Sequence, residues 1–343
     1  MAELQLELTR LEMPLKHTFT IARGSADVAR TLCFALSDGQ HMGLGESAPV
    51  ARYHESLDSV EAYWRAFGPL GSDPFALQNL LSERTPAAAR TGLDIALHDL
   101  IGKRLGVPLW RLFGLDPART PYTSFTVGID DPQKMLDKVR EVGDHPVLKV
   151  KLGTGNEIET LRAIRAVYHG TIRIDANEGW TPERAVEVLR EIEPLEIEFC
   201  EQPIPAGSPE RLRWIRERSK IPLVTDEDSR DAADLPKLYG CVDGINVKLV
   251  KCGGIRGALE MIHTARACGF KIMLGCMVES GILQTAAAHL SPLVDWADLD
   301  GAFLLREDPY VGMTYRGGKI VLPDEPGLGV HPAGAPAIRD GAR

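Results

Sequence analysis

Short hydrophobic runs alternate with longer amphipathic segments from about residue 121 of this chain onward. The runs are rich in β-branched residues, whereas apolar residues in the intervening segments recur with helical spacing. The eight runs, in chain order, are TSFTVGI, VLKVKL, TIRIDA, IEFCEQ, PLVTDE, GINVKLV, KIMLGCM and WADLDGAFLL. Strands that alternate with helices are typical of βα units, so the pattern predicts a parallel sheet of eight strands.

The first 120 residues have a different order of patterns. Two stretches with alternating apolar positions, LQLELTRLEMPL and RTLCFALSDGQHMGLGE, predict strands, and AAARTGLDIALHDLIGKRLG after them predicts a helix. Strands followed by helices are typical of an α+β unit. We therefore place a domain boundary near Asp116 and Pro117, and we expect the Gly- and Pro-rich tail after about residue 310 to fold back on the first unit.

Polar residues stand at or near the ends of successive predicted strands. Neighbouring positions are separated by 22 to 27 residues, which is close to the length of one βα repeat. The positions are Lys149, Asp175, Glu201, Asp226, Lys248, Gly275 and Asp298. Eight strands with this spacing close into a barrel, and in such barrels the carboxyl ends of the strands form the active-site mouth. The alternative is that these side chains are ion pairs that cap the barrel.

Three of these positions are acidic and lie on consecutive strands. Asp175, Glu201 and Asp226 would converge at the mouth and offer oxygen ligands alone, which suits Mg²⁺, or Mn²⁺, at an open site. Without a cation, three carboxylates so close together would repel one another strongly. Salt bridges to neighbouring lysines are the alternative explanation of the cluster.

Three lysines are candidates for proton transfer. Lys149 and Lys151 occupy alternate positions of the run LKVKL and share one face of the strand, while Lys248 lies four strands further round the barrel. A second ammonium and a divalent cation would lower the pKa of a lysine toward neutrality and make it a useful base. With a lysine on each face of a planar enediolate, one takes the α-proton and the other returns a proton to the opposite side. That chemistry is racemisation or epimerisation.

Composition excludes several other classes of protein. Of 343 residues, 44% are apolar and 25% are charged, as in an ordinary globular chain. The 48 acidic residues exceed the 39 basic ones, so we expect no nucleic-acid partner. No apolar stretch approaches the roughly 20 residues needed to cross a bilayer, and the six scattered cysteines form no CxxC pair. We therefore expect a cytoplasmic protein with reduced thiols and no membrane partner.

Five motifs, in order, give the chain a resemblance to a known family. They are KVK at 149–151, IDANE at 174–178, EQP at 201–203, TDED at 225–228 and NVKLVKCGG at 246–254. Together they resemble the enolase superfamily, in its muconate-lactonising-enzyme-like branch. The resemblance implies an α/β fold: an α+β capping domain over 1–116, a (β/α)7β modified TIM barrel over 117–310, and a tail, 311–343, packed back on the cap.

The same resemblance assigns roles at the barrel mouth. The implied metal ligands, for Mg²⁺ or Mn²⁺, are Asp175, Glu201 and Asp226. The implied acid/base pair is Lys151 and Lys248. Lys149 would then be the companion that lowers the pKa of Lys151 and binds the substrate carboxylate.

Further features resemble the dipeptide epimerases of that branch. Asp298 and Asp300, in the segment ADLDG of the eighth run, share a face and would hold the free α-ammonium of a dipeptide. Arg23 in FTIARGS would bind the side-chain carboxylate of a glutamate residue, and Thr126 and Asn177 match positions that contact substrate. The alternatives are an acidic pair at a surface or helix cap, a solvated arginine, and two turn residues that bond their own backbone.

These observations lead to one leading hypothesis and two alternatives. The leading hypothesis is a Mg²⁺-dependent epimerase of an L-Ala-D/L-Glu-like dipeptide, which would act in murein peptide recycling and assemble as a homo-oligomer. The first alternative completes the same half-reaction as a lyase or cycloisomerase, as in o-succinylbenzoate synthase or muconate cycloisomerase. The second is a metal-stabilised binding protein without turnover. The role of Glu279, which follows the seventh run, stays open.

Overall fold

The structure is a computed structural model that describes residues 2–76, 81, 85–153 and 155–334. Residues 1, 77–80 and 82–84 of the predicted capping domain, residue 154, and residues 335–343 of the predicted tail lie outside the described residues. Among the described helices, none is long and apolar enough to span a lipid bilayer.

The amino-terminal part of the chain forms a three-stranded antiparallel sheet with helices packed against it. The strands are β1 (Gln5–Ile21), β2 (Gly24–Ser37) and β3 (Met42–Ser47), in the spatial order β1-β2-β3. The helices are α1 (Leu57–Phe67), α2 (Ala87–Leu105) and α3 (Leu109–Leu112). These elements confirm the strands and the helix predicted for the first unit.

Glycines let α2 lie directly against β3. A Cβ on Gly45 would stand 2.0 Å from the carbonyl oxygen of Gly92, and one on Gly43 would stand 2.1 Å from that of Ala96. Such separations are far inside van der Waals contact, so a larger residue at either position would push the helix away from the sheet. The close approach makes α2 the buried centre of this unit.

Strand β1 is longer than its alternating pattern predicts. The pattern ends at Leu15, whereas the strand runs to Ile21 with a register shift between Pro14 and Phe19 that marks a bulge. Because of this extension, the turn between β1 and β2 reaches the barrel, where the Ile129 N–H donates to the Thr20 carbonyl at 3.0 Å. The hairpin tip, defined here as residues 19–26, lies over the barrel mouth.

Eight parallel strands form the barrel in the order of their sequence. They are β4 (Phe125–Val127), β5 (Val147–Lys151), β6 (Thr171–Asp175), β7 (Ile197–Glu201), β8 (Leu223–Thr225), β9 (Gly244–Val247), β10 (Lys271–Gly275) and β11 (Trp296–Asp298). A parallel bridge between Thr123, two residues before β4, and Ala297 of β11 links the two ends of the sheet. All eight predicted strands are confirmed, but the last run is a strand only as far as Asp298, and its remainder turns into a short helix.

Helices follow the barrel strands along the chain. They are α4 (Pro132–Val142), α5 (Glu157–Val167), α6 (Pro182–Glu191), α7 (Pro209–Arg216), α8 (Leu235–Leu238), α9 (Leu249–Cys252), α10 (Ile255–Ala267), α11 (Gly281–Ala288) and α12 (Gly301–Leu304). Helices α4 and α6 begin directly after a capping residue. The side chains of Asp131 and Thr181 accept hydrogen bonds from the first turn, and proline is the first helical residue in both.

An apolar layer fills the barrel below the polar strand ends. Phe199, Val224 and Met273 form a buried cluster, and Trp296 packs against it. Side chains two residues apart on a strand share a face, so each of these residues lies below a strand-end position of its own strand. The layer closes the interior beneath the mouth and leaves the charged groups at the mouth itself.

Residues 305–334 return to the first unit. They include the short strands β12 (Tyr310–Val311), β13 (Thr314–Arg316), β14 (Lys319–Val321) and β15 (His331–Pro332). The Leu328 N–H donates to Asp99 Oδ1 of α2 at 2.7 Å, and the Leu109 N–H donates to the Gly327 carbonyl at 3.0 Å. The domain boundaries at 116/117 and 310/311 stay predictions, because such contacts do not define where a domain ends.

Candidate active site

One cavity of about 710 Å³ lies at the barrel mouth beneath the hairpin tip. Nine of the eleven predicted site residues line it: Arg23, Thr126, Lys149, Lys151, Asn177, Asp226, Lys248, Asp298 and Asp300. The other two, Asp175 and Glu201, are fully buried behind the wall of the cavity, where Lys149 contacts both. The structure therefore brings all eleven residues to one place.

Each acidic strand end is in contact with a lysine. Asp175 Oδ2 lies 2.6 Å from Lys151 Nζ, and Asp226 Oδ2 lies 2.9 Å from Lys248 Nζ. Within the described residues, no three His, Cys, Asp or Glu side chains surround one point closely enough to hold a metal ion. The salt bridges that form the alternative explanation of the acidic cluster are therefore present.

Glu201 differs from Asp175 and Asp226 because its pKa is raised, whereas theirs are lowered. Its Oε2 lies 2.6 Å from Lys149 Nζ, yet no donor in the described part of the chain makes an aligned hydrogen bond to it. Burial raises the pKa of Glu201, and the neighbouring carboxylates of Asp175 and Asp226 add to this rise. Burial would also raise the pKa of Asp175 and of Asp226, but their lysine contacts outweigh it and lower both values.

This donor set fits a magnesium ion. Asp175 and Glu201 are paired across β6 and β7, and Asp226 directly follows β8, so three carboxylates come from neighbouring strands. Mg²⁺ prefers oxygen ligands, and its two positive charges would offset both the burial of Glu201 and the repulsion from neighbouring carboxylates, which together raise the pKa of Glu201. In this structure the Lys149 ammonium, in contact with both Asp175 and Glu201, is the positive charge between them.

Lys151 and Lys248 enter the cavity from different parts of the barrel. Lys151 ends β5 and Lys248 follows β9, with three strands between β5 and β9. Burial alone would lower the pKa of Lys248, but Asp226 and Glu201 outweigh burial and raise it. The lowering of a lysine pKa was predicted for a site that holds a divalent cation, and it stays a prediction.

Lys149 contacts three carboxylates, which is more than the sequence predicts. Its Nζ lies 2.6 Å from Asp298 Oδ2 and 3.3 Å from Asp175 Oδ2, in addition to its contact with Glu201. Because Lys151 contacts the same oxygen of Asp175, the two ammonium groups lie close together, and the companion role of Lys149 stays a prediction. Burial would lower the pKa of Lys149, but the three carboxylates outweigh burial and raise it well above its usual value.

Asp298 and Asp300 both line the cavity but have different partners. Asp298 accepts hydrogen bonds from Lys149 Nζ and from the Ser124 hydroxyl. Asp300 Oδ2 accepts a hydrogen bond of 2.6 Å from the Thr126 backbone N–H. Burial raises the pKa of Asp300 to about 7, with a further contribution from the charge of Asp298. A lysine thus neutralises Asp298, whereas no cationic side chain among the described residues pairs with Asp300.

Arg23 stands in the hairpin tip, and its guanidinium contacts two carboxylates of the barrel. Nη1 lies 2.5 Å from Glu227 Oε1 and 3.1 Å from Glu178 Oε2. Arg52 also binds Glu178, through two contacts of 3.0 and 3.2 Å. Arg23 therefore lines the cavity, but in this structure it ties the hairpin tip to the loops after β6 and β8 instead of standing free.

Asn177 acts on the neighbouring acid. Its N–H donates to Asp175 Oδ1 at 2.8 Å, and its Nδ2 donates to Asp175 Oδ2 at 3.2 Å. Its φ of 44° lies in the left-handed region, which asparagine adopts more readily than most residues. The left-handed backbone conformation at Asn177 therefore orients the carboxylate of Asp175, a predicted metal ligand.

Comparison with known families agrees with this geometry. Residues 133–335 match the profile described as enolase C-terminal domain-like. Residues 5–114 match the profile of the mandelate racemase / muconate lactonizing enzyme, N-terminal domain. The chain belongs to the enolase superfamily. Membership confirms the predicted family and the predicted class of fold, a modified TIM barrel with an α+β cap.

Several relatives of this superfamily member are named as epimerases. The L-Ala-D/L-Glu epimerase of Bacteroides thetaiotaomicron is 37% identical over 327 residues, which cover 93% of this chain and 85% of the relative. The hydrophobic dipeptide epimerase of Roseobacter litoralis is 33% identical over 95% of this chain and 98% of its own. A solved dipeptide epimerase of Enterococcus faecalis, complexed with Mg and L-Leu-L-Tyr, is 34% identical with a TM-score of 0.88, over 96% and 99% of the two chains. This enolase-superfamily chain is an isomerase.

Sequence reasoning missed a fourth buried lysine at this enolase-superfamily site. Lys251 Nζ lies 2.5 Å from Asp226 Oδ1 and donates to the backbone carbonyls of Asp226, Asn246 and Ser229 at 2.7, 3.0 and 3.1 Å. It therefore holds Asp226 on the side away from Lys248. The signal was present in the motif NVKLVKCGG, where a second lysine follows the first by three residues.

Glu279, whose role the sequence leaves open, is fully buried behind the loop that follows β10. Its Oε1 accepts a hydrogen bond from Gln284 Nε2 at 3.1 Å, and its Oε2 accepts one from the Met277 N–H at 3.2 Å. Burial raises its pKa well above the usual value, and the charge of Glu46 adds to the rise. Glu279 thus holds in place the loop that contributes Met277 to the cavity wall.

Proposed function

We propose that this isomerase is a Mg²⁺-dependent dipeptide epimerase that inverts the α-carbon of the carboxyl-terminal residue by 1,1-proton transfer. The observation that carries the proposal is the placement of Lys151 and Lys248, which enter one cavity from strands separated round the barrel. Two amines that reach one carbon from opposite sides can remove a proton on one side and deliver a proton on the other. A site with one amine could not invert the configuration in this way.

The charges along the cavity suit a dipeptide zwitterion. Lys149, which shares Asp175 with Lys151, would bind the substrate carboxylate at one end of the cavity. Asp300, which has a hydrogen bond from a backbone N–H instead of a cationic partner, would receive the free α-ammonium together with Asp298. The dipeptide-bound relative from Enterococcus faecalis supports this choice of substrate class.

Each step of the proposed reaction uses a defined atom of this chain. The base is an unprotonated amine that takes the α-proton onto its Nζ, and the opposite lysine, as an ammonium, donates a proton from its Nζ to the other face. When bound by Asp175, Glu201 and Asp226, Mg²⁺ supplies positive charge against the negative charge that develops on the substrate carboxylate. Lys149 stays protonated, because its carboxylate contacts favour the ammonium, and binds the same substrate group.

The finer substrate that we propose is L-Ala-D/L-Glu. The relative from Bacteroides thetaiotaomicron supports it, and Arg23 lies in the cavity where a glutamate side chain could reach it. For that contact the substrate carboxylate would replace Glu178 or Glu227 on the guanidinium of Arg23. Murein peptide recycling, a cytoplasmic setting and a homo-oligomer stay predictions that accompany this proposal.

Deuterium exchange tests the proposal. Purified protein with Mg²⁺ is incubated in D₂O with L-Ala-L-Glu, and proton NMR follows the α-protons of both residues. We expect exchange and inversion at the carboxyl-terminal α-carbon and no exchange at the amino-terminal one. Exchange with L-Leu-L-Tyr but not with L-Ala-L-Glu would remove the finer substrate and keep the class, whereas the absence of exchange with every dipeptide tried would remove the class.

One observation favours a second candidate, a lyase or cycloisomerase that uses the same half-reaction. Asp298 is already neutralised by Lys149 and bonded to Ser124, so a single carboxylate, Asp300, is left for an ammonium group. Substrates of those enzymes need no such group. If this candidate is right, the variant Asp300→Asn keeps full activity on a dicarboxylate without an amine and the wild type has none on dipeptides.

A further inference from the structure

One carboxylate oxygen of each predicted metal ligand is held by a donor inside the protein. The three contacts are Asn177 N–H to Asp175 Oδ1 at 2.8 Å, Asn246 Nδ2 to Glu201 Oε1 at 2.7 Å, and Lys251 Nζ to Asp226 Oδ1 at 2.5 Å. The other oxygen of each acid contacts an ammonium group of the cavity wall. These contacts are Lys151 to Asp175, Lys149 to Glu201 and Lys248 to Asp226. Each acid therefore has one oxygen fixed by the fold and one beside a cation that a metal ion would replace.

The donor that holds Glu201 comes from β9, two residues before Lys248. Asn246 is fully buried, and its Nδ2 donates to Glu201 Oε1. Since an amide donates hydrogen bonds only through its nitrogen, the carboxylate fixes which way this amide points. The Asn246 Oδ1 accepts no hydrogen bond from the described residues, so in that part of the chain the amide acts on Glu201 alone.

Gly275, at the end of the neighbouring strand β10, provides the space that this amide occupies. A Cβ on Gly275 would stand 2.5 Å from Asn246 Oδ1 and 2.8 Å from its Nδ2, closer than packed atoms approach. Gly275 does not have a positive φ, so alanine there would crowd the amide without straining the backbone. The spacing of strand ends marked position 275, and its lack of a side chain leaves room for the group that holds Glu201.

We propose that Asn246, packed against Gly275, limits Glu201 to binding through one oxygen and thereby makes the site prefer Mg²⁺ to the larger Ca²⁺. The inference rests on the proposed function. Mg²⁺ takes six ligands at about 2.0–2.1 Å, whereas Ca²⁺ takes six to eight at about 2.3–2.6 Å and often binds both oxygens of a carboxylate. A carboxylate whose second oxygen is held by a buried amide can supply only the first. Asn246 is thus a positioning residue that acts through Glu201.

Calorimetric titration of the purified protein with Mg²⁺ and, separately, with Ca²⁺ tests the proposal without substrate. Asn246→Leu keeps a side chain of similar size and removes the donor. Loss of a contact that orients a metal ligand costs about 10- to 100-fold in affinity, so the Kd for Mg²⁺ should rise by that factor. The released Oε1 of Glu201 can join a bound Ca²⁺, so the Kd for Ca²⁺ should change by less than about threefold. The ratio of the Ca²⁺ Kd to the Mg²⁺ Kd should therefore fall.

A second variant changes the position of the amide without removing it. Gly275→Ala pushes the Asn246 side chain away and should lower the same ratio, even if Asn246→Leu does not fold. The matched control is Met273→Leu, on the same strand within the apolar layer of the barrel. This substitution conserves volume, so both Kd values should stay within about twofold of the wild type. Circular dichroism identifies the variants that fold.

The outcomes separate the inference from the proposed function. Equal loss of affinity for both ions would mean that Asn246 has a structural role alone and would overturn the inference. A ratio unchanged in every folded variant, or a wild type that binds Ca²⁺ as tightly as Mg²⁺, would overturn it as well. Each of these results leaves the proposed function intact. A wild type that binds neither ion would remove the Mg²⁺-dependent function, and the inference with it.

Discussion

The barrel mouth and the seam between cap and barrel both bury many charged groups, but the groups have different partners. At the seam, Glu46 of β3 accepts hydrogen bonds from the backbone N–H groups of Ser280 and Leu283 at 3.0 and 3.1 Å. Asp94 of α2 likewise accepts one from the Ile255 N–H at 2.5 Å. At the mouth, Asp175, Asp226 and Asp298 contact lysine ammonium groups.

Carboxylates bound by backbone N–H groups stabilise the fold, whereas carboxylates bound by lysines are available for a reaction. Glu46 and Asp94 bind the first N–H groups of α11 and α10, where the helix has unpaired donors and a partial positive charge. Such backbone donors cannot move away, so these carboxylates fix the cap on the barrel. A carboxylate paired with a lysine ammonium can instead exchange that ammonium for a metal ion, and the released ammonium can bind a substrate carboxylate, so the partners at the mouth can change during a reaction.

The largest effect expected at the mouth comes from Lys151→Ala. Loss of a proton-transfer group costs about 10²–10⁴ in rate, so epimerisation of L-Ala-L-Glu should fall by about a thousandfold. Optical rotation or chiral chromatography of the product measures it. Lys134→Ala, at an exposed lysine of α4, is the control that should keep full rate. A Lys151→Ala protein within tenfold of wild type would remove this lysine from the acid/base pair.

The next effect expected is at the ammonium end of the mouth. Asp300→Asn keeps the acceptor for the Thr126 N–H but removes the negative charge, so KM for L-Ala-L-Glu should rise by about a hundredfold with a smaller change in kcat. The measurement compares L-Ala-L-Glu with its N-acetyl form. The wild type should discriminate strongly between them and the variant weakly. If the variant discriminates between the two substrates as strongly as the wild type, Asp300 does not bind the substrate ammonium.

The matching change at the seam should act on stability. Glu46→Ala leaves the N–H groups of Ser280 and Leu283 buried without an acceptor, which should lower the free energy of unfolding by about 3 kcal/mol. Urea unfolding followed by circular dichroism measures it. Glu7→Ala, at an exposed position of β1, should change stability by less than about 0.5 kcal/mol. Equal effects of the two changes would contradict the role given to the seam.

The smallest effect expected depends on pH and arises at His289, which also lies at the seam. Its Nδ1 accepts from the Trp110 N–H at 3.2 Å, its Nε2 lies 3.0 Å from the Leu328 carbonyl, and burial lowers its pKa to about 4. An unfolded histidine has a pKa of about 6.5, so the unfolded chain binds the proton first as the pH falls. Between pH 6.5 and 4, His289 should therefore cost up to about 1.4 kcal/mol of stability per pH unit.

Urea unfolding at pH 7, 6 and 5 measures this dependence. His289→Asn should show a shallower loss of stability over the same range, because asparagine binds no proton. Parallel slopes for the two proteins would mean that His289 is not buried in its neutral form.

The elements whose residues repeat in a regular pattern along the sequence were predictable. Alternation along each run identified the barrel strands, and the repeat of polar strand ends gathered Asp175 and Lys248 at one mouth. The extension of β1 was not predictable, because the bulge after Pro14 interrupts the alternation on which strand recognition depends. The sequence pattern also did not show that the run WADLDGAFLL divides into a strand and a helix, because the helix begins at Gly301, soon after the strand ends at Asp298.

Contacts between distant segments were also beyond the sequence. The sequence spacing predicted that Lys149 lies near a strand end. It did not predict that the Lys149 ammonium lies between Glu201 and Asp298, because that position depends on how far the side chain reaches across the barrel. The helix-capping contacts of Glu46 join residues more than 200 positions apart, and no local pattern marks such a pair. The pairing of Arg23 with Glu227 depends in the same way on how the hairpin tip folds over the barrel.

The central claim is that Lys151 and Lys248 address opposite faces of one substrate carbon, and exchange by single-lysine variants tests it most directly. Lys151→Ala and Lys248→Ala are each incubated in D₂O with Mg²⁺ and, separately, with the two diastereomers of Ala-Glu that differ at the glutamyl α-carbon. Proton NMR then follows that α-proton. We predict that epimerisation by each variant falls by about a thousandfold and that each exchanges deuterium into one diastereomer, a different one for each variant. Exchange of the same diastereomer by both variants, or epimerisation by either within about tenfold of the wild-type rate, would contradict the account.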